Sequence, residues 1–258
     1  MTLDLETTRR TFVRDLHAAA KPPRTFDLQA YVSSPVPVLG VAAPDARRIV
    51  SEFAKAHRDL PVSDVNRLAA ALWSGETFEE KALGIGILSR YARILDDASW
   101  RLLDRWADTA SGWGLCDGIG AGPVSSMVSR RPARFRELLL WARSDNLWRR
   151  RIAAYGLNDF VRAGDLDRPL ELLERLLYDP EFWVQRAVGT WLRECWKKDR
   201  ARTEAFLRAH VRGLPPVVIT VATERAPKAF REELRQRSKS KLRGAAPQSR
   251  AGPRPPRR

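Results

Sequence analysis

A repeat of about 35 residues constrains the fold of this chain more than any other feature of its sequence. Three segments align without gaps: LWSGETFEEKALGIGIL from Leu72, ARSDNLWRRRIAAYGLN from Ala142 and LYDPEFWVQRAVGTWLR from Leu177. The basic residues Lys81, Arg151 and Arg186 are equivalent in this alignment and lie 70 and 35 positions apart. The same register has Cys116 one period before Arg151 and Ala46 one period before Lys81. A repeat of this length with apolar helical segments is typical of stacked pairs of helices.

The spacing of apolar residues between these segments also predicts helices. Leu166, Leu170, Leu173 and Leu177 recur three or four positions apart, and breakers such as Pro180 fall between the periodic runs. Alternating strand patterns are almost absent, and the consensus of tetratricopeptide repeats is not visible. We therefore expect an all-α fold, a curved solenoid of HEAT-like helical repeats whose concave face binds an extended partner.

The charge of the chain indicates what that partner is. The sequence has 46 Lys and Arg against 31 Asp and Glu, a formal net charge of +15, and nine of the basic residues follow Glu233 with no acidic residue among them. Residues 236–258, rich in Arg and Pro, are expected to form a disordered basic tail. Residues 1–235 form the predicted repeat domain, which keeps a positive charge, so a basic concave face that binds double-stranded DNA is expected.

Several classes of site and location are disfavoured. The two cysteines, Cys116 and Cys195, and the three histidines show no spacing typical of metal ligands, so neither a metal nor a cofactor is expected. The N-terminus mixes acidic and basic residues, and no segment approaches the roughly 20 apolar residues of a membrane span. We expect a cytoplasmic protein that is a monomer and has no membrane partner.

The segment SGWGLCDGIG, residues 111–120, carries two candidate functional side chains among four glycines. Trp113 and Asp117 are four positions apart and would point the same way on a helix. Each interior glycine costs a helix about 1 kcal/mol relative to alanine. We interpret the glycines as clearance that lets the DNA backbone approach closely.

This segment and three others carry a resemblance to a known family. SGWGLCD (111–117), SDNLWRRRIAA (144–154), YVSSPVPVLGV (31–41) and DPEFWVQRAVG (179–189) resemble the AlkD-type family of bacterial DNA alkylation repair enzymes. Members of that family are monofunctional DNA glycosylases built from HEAT-like repeats. The similarity in order and periodicity covers roughly residues 10–235.

The resemblance implies a role for individual residues. Trp113 matches the active-site tryptophan of the family, Asp117 its catalytic aspartate and Arg151 its active-site arginine. Tyr31 matches a tyrosine near the bound DNA backbone. Thr190 stands where the family has a second active-site tryptophan.

Further DNA contacts are predicted from the repeat and from tryptophans beside basic residues. Trp191 follows Thr190, but an offset of one residue turns a helical side chain by about 100°. Basic residues near the start of each second helix are placed to line the concave face, although such residues also form structural ion pairs. The residues predicted to contact DNA are Tyr31, Lys81, Trp148, Arg149, Arg150, Arg186, Thr190 and Trp191.

The activity implied by the resemblance is release of cationic N3- or N7-alkylated purines, such as 3-methyladenine and 7-methylguanine, from duplex DNA in base excision repair. Asp117 would stabilise the oxocarbenium ion and position the attacking water, and Trp113 would hold the sugar or backbone. Arg151 would bind a phosphate and orient Asp117, whose ionised form a nearby guanidinium favours. The resemblance also implies hydrolysis without flipping the base.

A second class of function stays open. A nonenzymatic HEAT-like paralogue would use the same basic face to bind duplex or branched DNA. The presence of Trp113, Asp117 and Arg151 together favours the enzyme, whereas Thr190 favours the paralogue. A protein-interaction scaffold is disfavoured by the basic repeat domain.

Overall fold

The structure is a computed structural model that describes residues 3–21 and 25–239. Within these residues the backbone is helical, and extended segments pair only at an isolated bridge between Ala20 and Val41. The helices are α1 (Leu5–Ala19), α2 (Leu28–Val32), α3 (Ala43–Ala56), α4 (Val62–Trp73), α5 (Phe78–Arg90), α6 (Asp97–Thr109), α7 (Trp113–Ile119), α8 (Ser125–Arg130), α9 (Phe135–Trp141), α10 (Leu147–Tyr155), α11 (Asn158–Ala163), α12 (Asp167–Leu176), α13 (Phe182–Lys198), α14 (Arg200–Ala209), α15 (Pro216–Ala222) and α16 (Lys228–Lys239).

The repeat seen in the sequence corresponds to one layer of helices. Helices α3, α5, α7, α10, α13 and α15 pack side by side in chain order, and their first residues are 34 or 35 positions apart. We call these six helices the second-helix layer. Helices α4, α6, α9, α12 and α14 each pack against a member of this layer. The prediction of an all-α fold built from paired helical repeats is therefore confirmed.

Side-chain caps fix the start of two helices in this layer. The Thr77 hydroxyl accepts a hydrogen bond from the backbone N–H of Glu80, while the Glu80 carboxylate accepts one from the backbone N–H of Thr77. Asn146 accepts a hydrogen bond from the backbone N–H of Trp148 at the start of α10. Caps of this kind stabilise a helix by about 1 kcal/mol each, so the first turns of α5 and α10 are well defined.

Stacked tryptophans fill the core between the two layers. Trp73 stacks on Trp106 with ring centroids 4.4 Å apart, and Trp100 stacks on Trp141 at 5.2 Å. Trp106 and Trp141 are buried, and Trp73 is half-buried. Such pairs contribute about 1 kcal/mol beyond the burial of their surface, so tryptophans on apolar helical faces belong to the core of this chain.

The glycine-rich segment packs against protein. It forms α7 and then a π-helical turn at Gly120–Val124. Gly112 precedes α7 at φ 81°, and a Cβ atom there would collide with the carbonyl oxygen of Ser33. A Cβ atom on Gly120 would collide with Tyr155 of α10. Gly112 and Gly120 therefore let α7 approach α2 and α10 closely, which is a packing role and not the clearance for DNA expected of them.

The C-terminal helix α16 extends past the predicted domain boundary at residue 235. Phe230 and Leu234 are buried on one face of this helix, and the hydroxyl of Ser238 donates to the carbonyl of Leu214. Residues 236–239 therefore belong to the folded helix, and the rest of the predicted tail, residues 240–258, lies outside the described residues. In the described part of the chain, no helix is both long and apolar enough to span a membrane.

Candidate active site

A cleft of about 450 Å³ opens on the second-helix layer, where α7, α10 and α13 pack side by side. It contains both ionised and aromatic side chains. The nine residues that line it are Tyr31, Trp113, Asp117, Arg151, Tyr155, Phe182, Trp183, Arg186 and Thr190.

The repeat places the ionisable groups of the cleft in one row. Asp117, Arg151 and Arg186 are each the fifth residue of their helix, in α7, α10 and α13. The step from the start of α7 to the start of α10 is 34 residues, one fewer than the repeat predicted from the sequence. Asp117 therefore takes the position equivalent to Arg151, and its neighbour Cys116 is buried in the core.

The guanidinium of Arg151 holds the carboxylate of Asp117 in a bidentate ion pair. Nε of Arg151 donates to Oδ1 at 2.6 Å, and Nη2 donates to Oδ2 at 2.8 Å. Nη1 donates to the backbone carbonyl of Trp183, and Nη2 also donates to the hydroxyl of Tyr155 at 3.3 Å. Parallel hydrogen bonds of this kind fix the plane of a carboxylate as well as neutralising its charge.

This geometry favours one of the two roles predicted for Arg151. Its side chain is 5% exposed, and each of its three nitrogens donates to a protein group. The contacts are those of an orienting group for Asp117, and binding of a phosphate by Arg151 stays a prediction. Arg186 is the exposed cation of the cleft, and its guanidinium lies 5.9 Å from the ring centroid of Phe182.

The pKa of Asp117 is shifted in the direction opposite to that expected. Burial of the carboxyl group raises its pKa above the ordinary value of 3.8, and this effect exceeds the lowering by hydrogen bonds and charge from Arg151 and by the hydroxyl of Tyr155. Desolvation disfavours the charged form of a carboxyl group. The guanidinium therefore offsets part of the desolvation but does not bring the pKa below its usual range.

Trp113 and Tyr31 form the wall of the cleft on the α7 side. The indole N–H of Trp113 donates to the carbonyl of Tyr31 at 2.6 Å, and the two rings meet edge to face with centroids 5.2 Å apart. Ser33 ends α2 in the left-handed conformation at φ 53°, and Gly112 lies against its carbonyl group. The end of α2 and the start of α7 therefore pack together and orient the indole ring.

Three residues of the cleft were not singled out from the sequence. Phe182 and Trp183 are the first two residues of α13, and Phe182 is 49% exposed. Tyr155 lies one turn after Arg151 and shares its face of α10. The signal for Tyr155 was this spacing of four residues, which places a side chain beside the arginine.

Lys81 lies outside the cleft. Its ammonium group donates to the carbonyl of Trp73 at the end of α4 at 2.6 Å and lies 5.4 Å from the centroid of the indole ring. Desolvation lowers the pKa of Lys81. The ammonium group thus satisfies a helix C-terminus, and the prediction that Lys81 contacts DNA is not supported by its position.

Arg149 and Arg150 form ion pairs within the protein. Arg149 pairs with Asp104 and Asp108 of α6. Arg150 makes two hydrogen bonds to Asp179, at 2.6 and 3.0 Å, and both side chains of this pair are largely buried. These arginines join neighbouring repeats, as the structural alternative expects, and their ion pairs do not favour the DNA contacts predicted for them.

The two remaining tryptophans predicted to contact DNA also pack against protein. Trp148 is half-buried and packs against Trp183 with ring centroids 6.2 Å apart. Trp191 is 6% exposed and meets the ring of Tyr155 edge to face at 5.5 Å. Thr190 lines the cleft in its place. The rotation of one residue along α13 therefore turns Trp191 into the core, and this burial does not favour the DNA contact predicted for it.

A second groove lies beside the cleft on the same layer. It has a volume of about 630 Å³, is mostly apolar and shares α7 with the cleft through Gly114 and Gly118. Arg47, the fifth residue of α3, and Arg90, the last residue of α5, line it. Within the described residues neither arginine forms an ion pair, and neither does Arg186. Three unpaired guanidinium groups therefore flank the α7 segment.

The family model described as "DNA alkylation repair enzyme" matches residues 12–226. No curated protein matches the chain. The chain is similar to the solved structure of a "predicted DNA alkylation repair enzyme" from Enterococcus faecalis, with 17% sequence identity, a TM-score of 0.68, and coverage of 78% of this chain and 93% of that chain.

Two structures from Streptococcus mutans are also similar. AlkD2 shares 11% identity at a TM-score of 0.64, with coverage of 86% of this chain and 98% of that chain. The protein smu.31 shares 13% identity at a TM-score of 0.52, with coverage of 75% and 98%. At these identities the similarity shows the fold alone, and that fold is a helical repeat.

Proposed function

Because the chain belongs to the DNA alkylation repair enzyme family, we propose that it is a monofunctional DNA glycosylase that releases N3- and N7-alkylated purines from duplex DNA. An alkylated purine of this kind already carries a positive charge and leaves without being protonated. The protein has to stabilise the positive charge that develops on the deoxyribose and to supply water. This activity belongs to base excision repair, and we place it in the cytoplasm with the protein acting as a monomer.

The observation that carries the proposal is the bidentate ion pair between Arg151 and Asp117 in an open cleft. The two oxygens of Asp117 have about four acceptor sites between them, so at least one stays open for water beside the two bonds from Arg151 and the hydroxyl of Tyr155. A water molecule at that site would be held and partly deprotonated as it attacks the sugar. The orientation of the carboxylate is set before DNA binds, which removes reorganisation from the reaction step.

Aromatic side chains of the cleft support the same chemistry. The indole of Trp113 is held by its hydrogen bond to Tyr31, so its ring is available to pack against deoxyribose. The face of an aromatic ring attracts a cation, and an oxocarbenium ion carries its charge on the sugar. Phe182 is exposed on the α13 side of the cleft. The sugar would thus lie between aromatic walls with the carboxylate beneath it.

The unpaired arginines suggest how the duplex lies. Arg186 is on the α13 side of the Asp117 carboxylate, and Arg47 and Arg90 line the groove on its other side. Guanidinium groups bind phosphates strongly. The DNA backbone would cross the second-helix layer from one set of arginines to the other, with the damaged nucleotide above Asp117 and its base left in the stack.

Strand cleavage is not part of the proposed reaction. A glycosylase that also cleaves the strand uses an amine as nucleophile to form a Schiff base. Among the nine residues that line the cleft, none is a lysine, and the ammonium group of Lys81 is bound to a backbone carbonyl elsewhere. Release of the base by water, with an intact abasic strand as product, is the expected outcome.

One observation favours the nonenzymatic alternative. Both oxygens of Asp117 accept hydrogen bonds from Arg151, and the side chain is 19% exposed. An ion pair of this kind also occurs as a purely structural link between repeats, as Arg150 and Asp179 show in the same chain. Such a protein would bind duplex or branched DNA through the same arginines without releasing a base.

Chromatography of bases released from methylated duplex DNA separates the two functions. The proposed enzyme releases 7-methylguanine and 3-methyladenine in amounts that grow with time above a reaction without protein, and the DNA strand stays uncut. Borohydride treatment during the reaction traps no covalent complex. Binding of the same duplex without release above that background would establish the nonenzymatic alternative.

A further inference from the structure

Tyr155 has the contacts expected of a group that sets the position of a reacting carboxylate. Its hydroxyl accepts a hydrogen bond from Nη2 of Arg151 at 3.3 Å, and the same nitrogen donates to Oδ2 of Asp117 at 2.8 Å. Asp117 and Thr190 line the cleft together with Tyr155. A phenol has one donor and two acceptor sites. Arg151 therefore occupies one acceptor site of the hydroxyl and leaves its proton to be donated towards the carboxylate, whose pKa this hydroxyl lowers.

The ring of Tyr155 is held from several sides. The guanidinium carbon of Arg151 lies 5.0 Å from its centroid, and the ring of Trp191 meets it edge to face at 5.5 Å. Gly120 packs directly against the Cβ atom of Tyr155. A side chain fixed by packing on this many sides holds its polar group in one place.

The position of Tyr155 also relates it to the departure at Thr190. Thr190 is small and leaves room on the α13 side of the cleft, and the aromatic ring beside it comes from α10. Trp191, the next residue of α13, supports that ring from the core side. The aromatic wall near Asp117 is thus built from a different helix than the resemblance implies.

We propose that Tyr155 is a positioning residue for Asp117, and that its hydroxyl, set by Thr190, fixes the carboxylate for attack on the sugar. The proposal rests on the proposed function for its role in excision. Burial and the neighbouring carboxylate raise the pKa of Tyr155 strongly. The phenol therefore stays protonated at neutral pH and remains a donor to the carboxylate.

The charged and titratable groups around Asp117 come from three helices besides α7. Helix α10 provides Arg151 and Tyr155, whereas α5 packs against α7 with the apolar side chain of Ile85 at Gly118. The other ionisable groups that line the cleft with Asp117 are Tyr31 from α2 and Arg186 from α13. Tyr31 and Tyr155 can each lose a hydroxyl without a change of net charge, and Tyr155 is the one whose hydroxyl accepts a hydrogen bond from Arg151.

The test measures the pKa of Asp117 directly in the free full-length protein. Isotope-labelled NMR of the carboxyl groups, assigned by comparison with Asp117→Asn, gives the titration of Asp117 in the wild type and in Tyr155→Phe. The variant keeps the ring and loses the hydroxyl. Removing a donor to the carboxylate raises its pKa, and a shift of about one unit is expected. An unchanged pKa overturns the proposal whatever the excision activity is.

Excision provides the second readout. In Tyr155→Phe, kcat for release of 7-methylguanine falls by about tenfold, KM is unchanged, and the acid limb of the pH profile moves up by the same amount as the pKa. Tyr178→Phe is the matched control, because Tyr178 is 49% exposed and its hydroxyl donates to the carbonyl of His210 away from the cleft. If the wild type is active and the acid limb of Tyr155→Phe has the same midpoint as that of the wild type, the positioning role is contradicted.

Coupling with Thr190 completes the test. Thr190→Val keeps the shape of the side chain and is expected to shift the pKa of Asp117 by less than Tyr155→Phe does. In the Tyr155→Phe background the same change has no further effect, since the hydroxyl it acts on is gone. If the two changes shift the pKa of Asp117 additively, Thr190 does not act through Tyr155. If Tyr155→Phe shifts the pKa of Asp117 but the wild type releases no base, the positioning role is supported and the proposed function is overturned. The two proposals can therefore fail separately.

Discussion

The carboxylate of Asp117 and the guanidinium of Arg151 face each other across two adjacent repeats, with Nε to Oδ1 at 2.6 Å and Nη2 to Oδ2 at 2.8 Å. Both residues are the fifth of their helix. Their contact therefore follows from the repeat itself, because equivalent positions of neighbouring helices lie side by side in such a fold. The planar guanidinium of Arg151 binds both oxygens and thereby fixes the plane of the carboxylate.

The first prediction concerns the geometry of this pair. Arg151→Lys keeps a positive charge but replaces a planar fork by a single ammonium group, which cannot bind both oxygens in parallel. We expect kcat/KM for base release to fall by at least about tenfold, while the slope of DNA affinity against salt stays unchanged. Arg175→Lys, in an exposed pair with Glu171, is the control. A wild-type kcat/KM in Arg151→Lys would contradict the need for a planar fork at this position.

The second prediction concerns the exposed arginine of the cleft. Arg186→Ala removes a guanidinium that has no ion pair among the described residues, so one phosphate contact is lost without breaking an ion pair of the protein. The slope of log affinity against log salt should decrease by about one unit. Arg175→Ala leaves the slope unchanged if the DNA lies on the second-helix layer. Equal slopes for Arg186→Ala and the wild type would remove this residue from the DNA contacts.

The third prediction concerns the second groove. Changing both Arg47 and Arg90 to alanine should lower the salt slope by about two units, because the two guanidinium groups flank α7 on the side opposite to Arg186. Base release at saturating protein should be preserved, since neither residue lines the cleft. Measurements of affinity over a range of salt concentrations, combined with single-turnover release, check both statements. A normal slope in the double variant would place the duplex elsewhere.

The fourth prediction concerns pH. Burial holds the pKa of Asp117 above 3.8, and the proposed reaction uses the ionised form. Release should therefore decrease as the pH falls through this raised pKa, so the acid limb of kcat/KM has its midpoint above 3.8. The rate of base loss without protein is subtracted at each pH. A profile that stays flat down to the ordinary range of a carboxyl group would contradict ionisation of Asp117 as the requirement.

The fold was predicted from the spacing of the repeat, and Asp117 and Arg151 were predicted from the family resemblance together with that spacing. The repeat determined which helices are equivalent, and it placed Asp117 and Arg151 in neighbouring second helices. The 34-residue step between α7 and α10 was not visible in the gapless alignment. Because this step is one residue shorter than the repeat, Asp117 faces Arg151 and its neighbour Cys116 is buried.

The roles of the other basic residues could not be predicted in the same way. Whether an arginine is free depends on carboxylates that lie in another repeat, as Asp104 and Asp108 do for Arg149. Arg47 was not predicted because no tryptophan or motif stands beside it. It is recognised as a candidate only from its place in the fold and the lack of an ion pair among the described residues.

The direction in which individual side chains point could not be predicted from the sequence either. Thr190 and Trp191 are adjacent in sequence, yet one lines the cleft and the other is buried behind Tyr155. A helix turns each side chain by about 100° from the previous one, so an error of one residue exchanges surface for core. The role of the glycines could not be predicted for a related reason. Close packing on another helix and close approach of DNA both require glycine, so the residue type does not tell them apart.

The most direct test of the central claim compares Asp117→Asn with the wild type in single-turnover release of 7-methylguanine from duplex DNA. The account predicts a loss of at least about a hundredfold in rate, with affinity for the duplex within about threefold of the wild type because the arginines that bind DNA are unchanged. Asp167→Asn, in an exposed pair with Arg202, serves as the control and keeps full activity. A wild-type rate of release by Asp117→Asn would contradict the account.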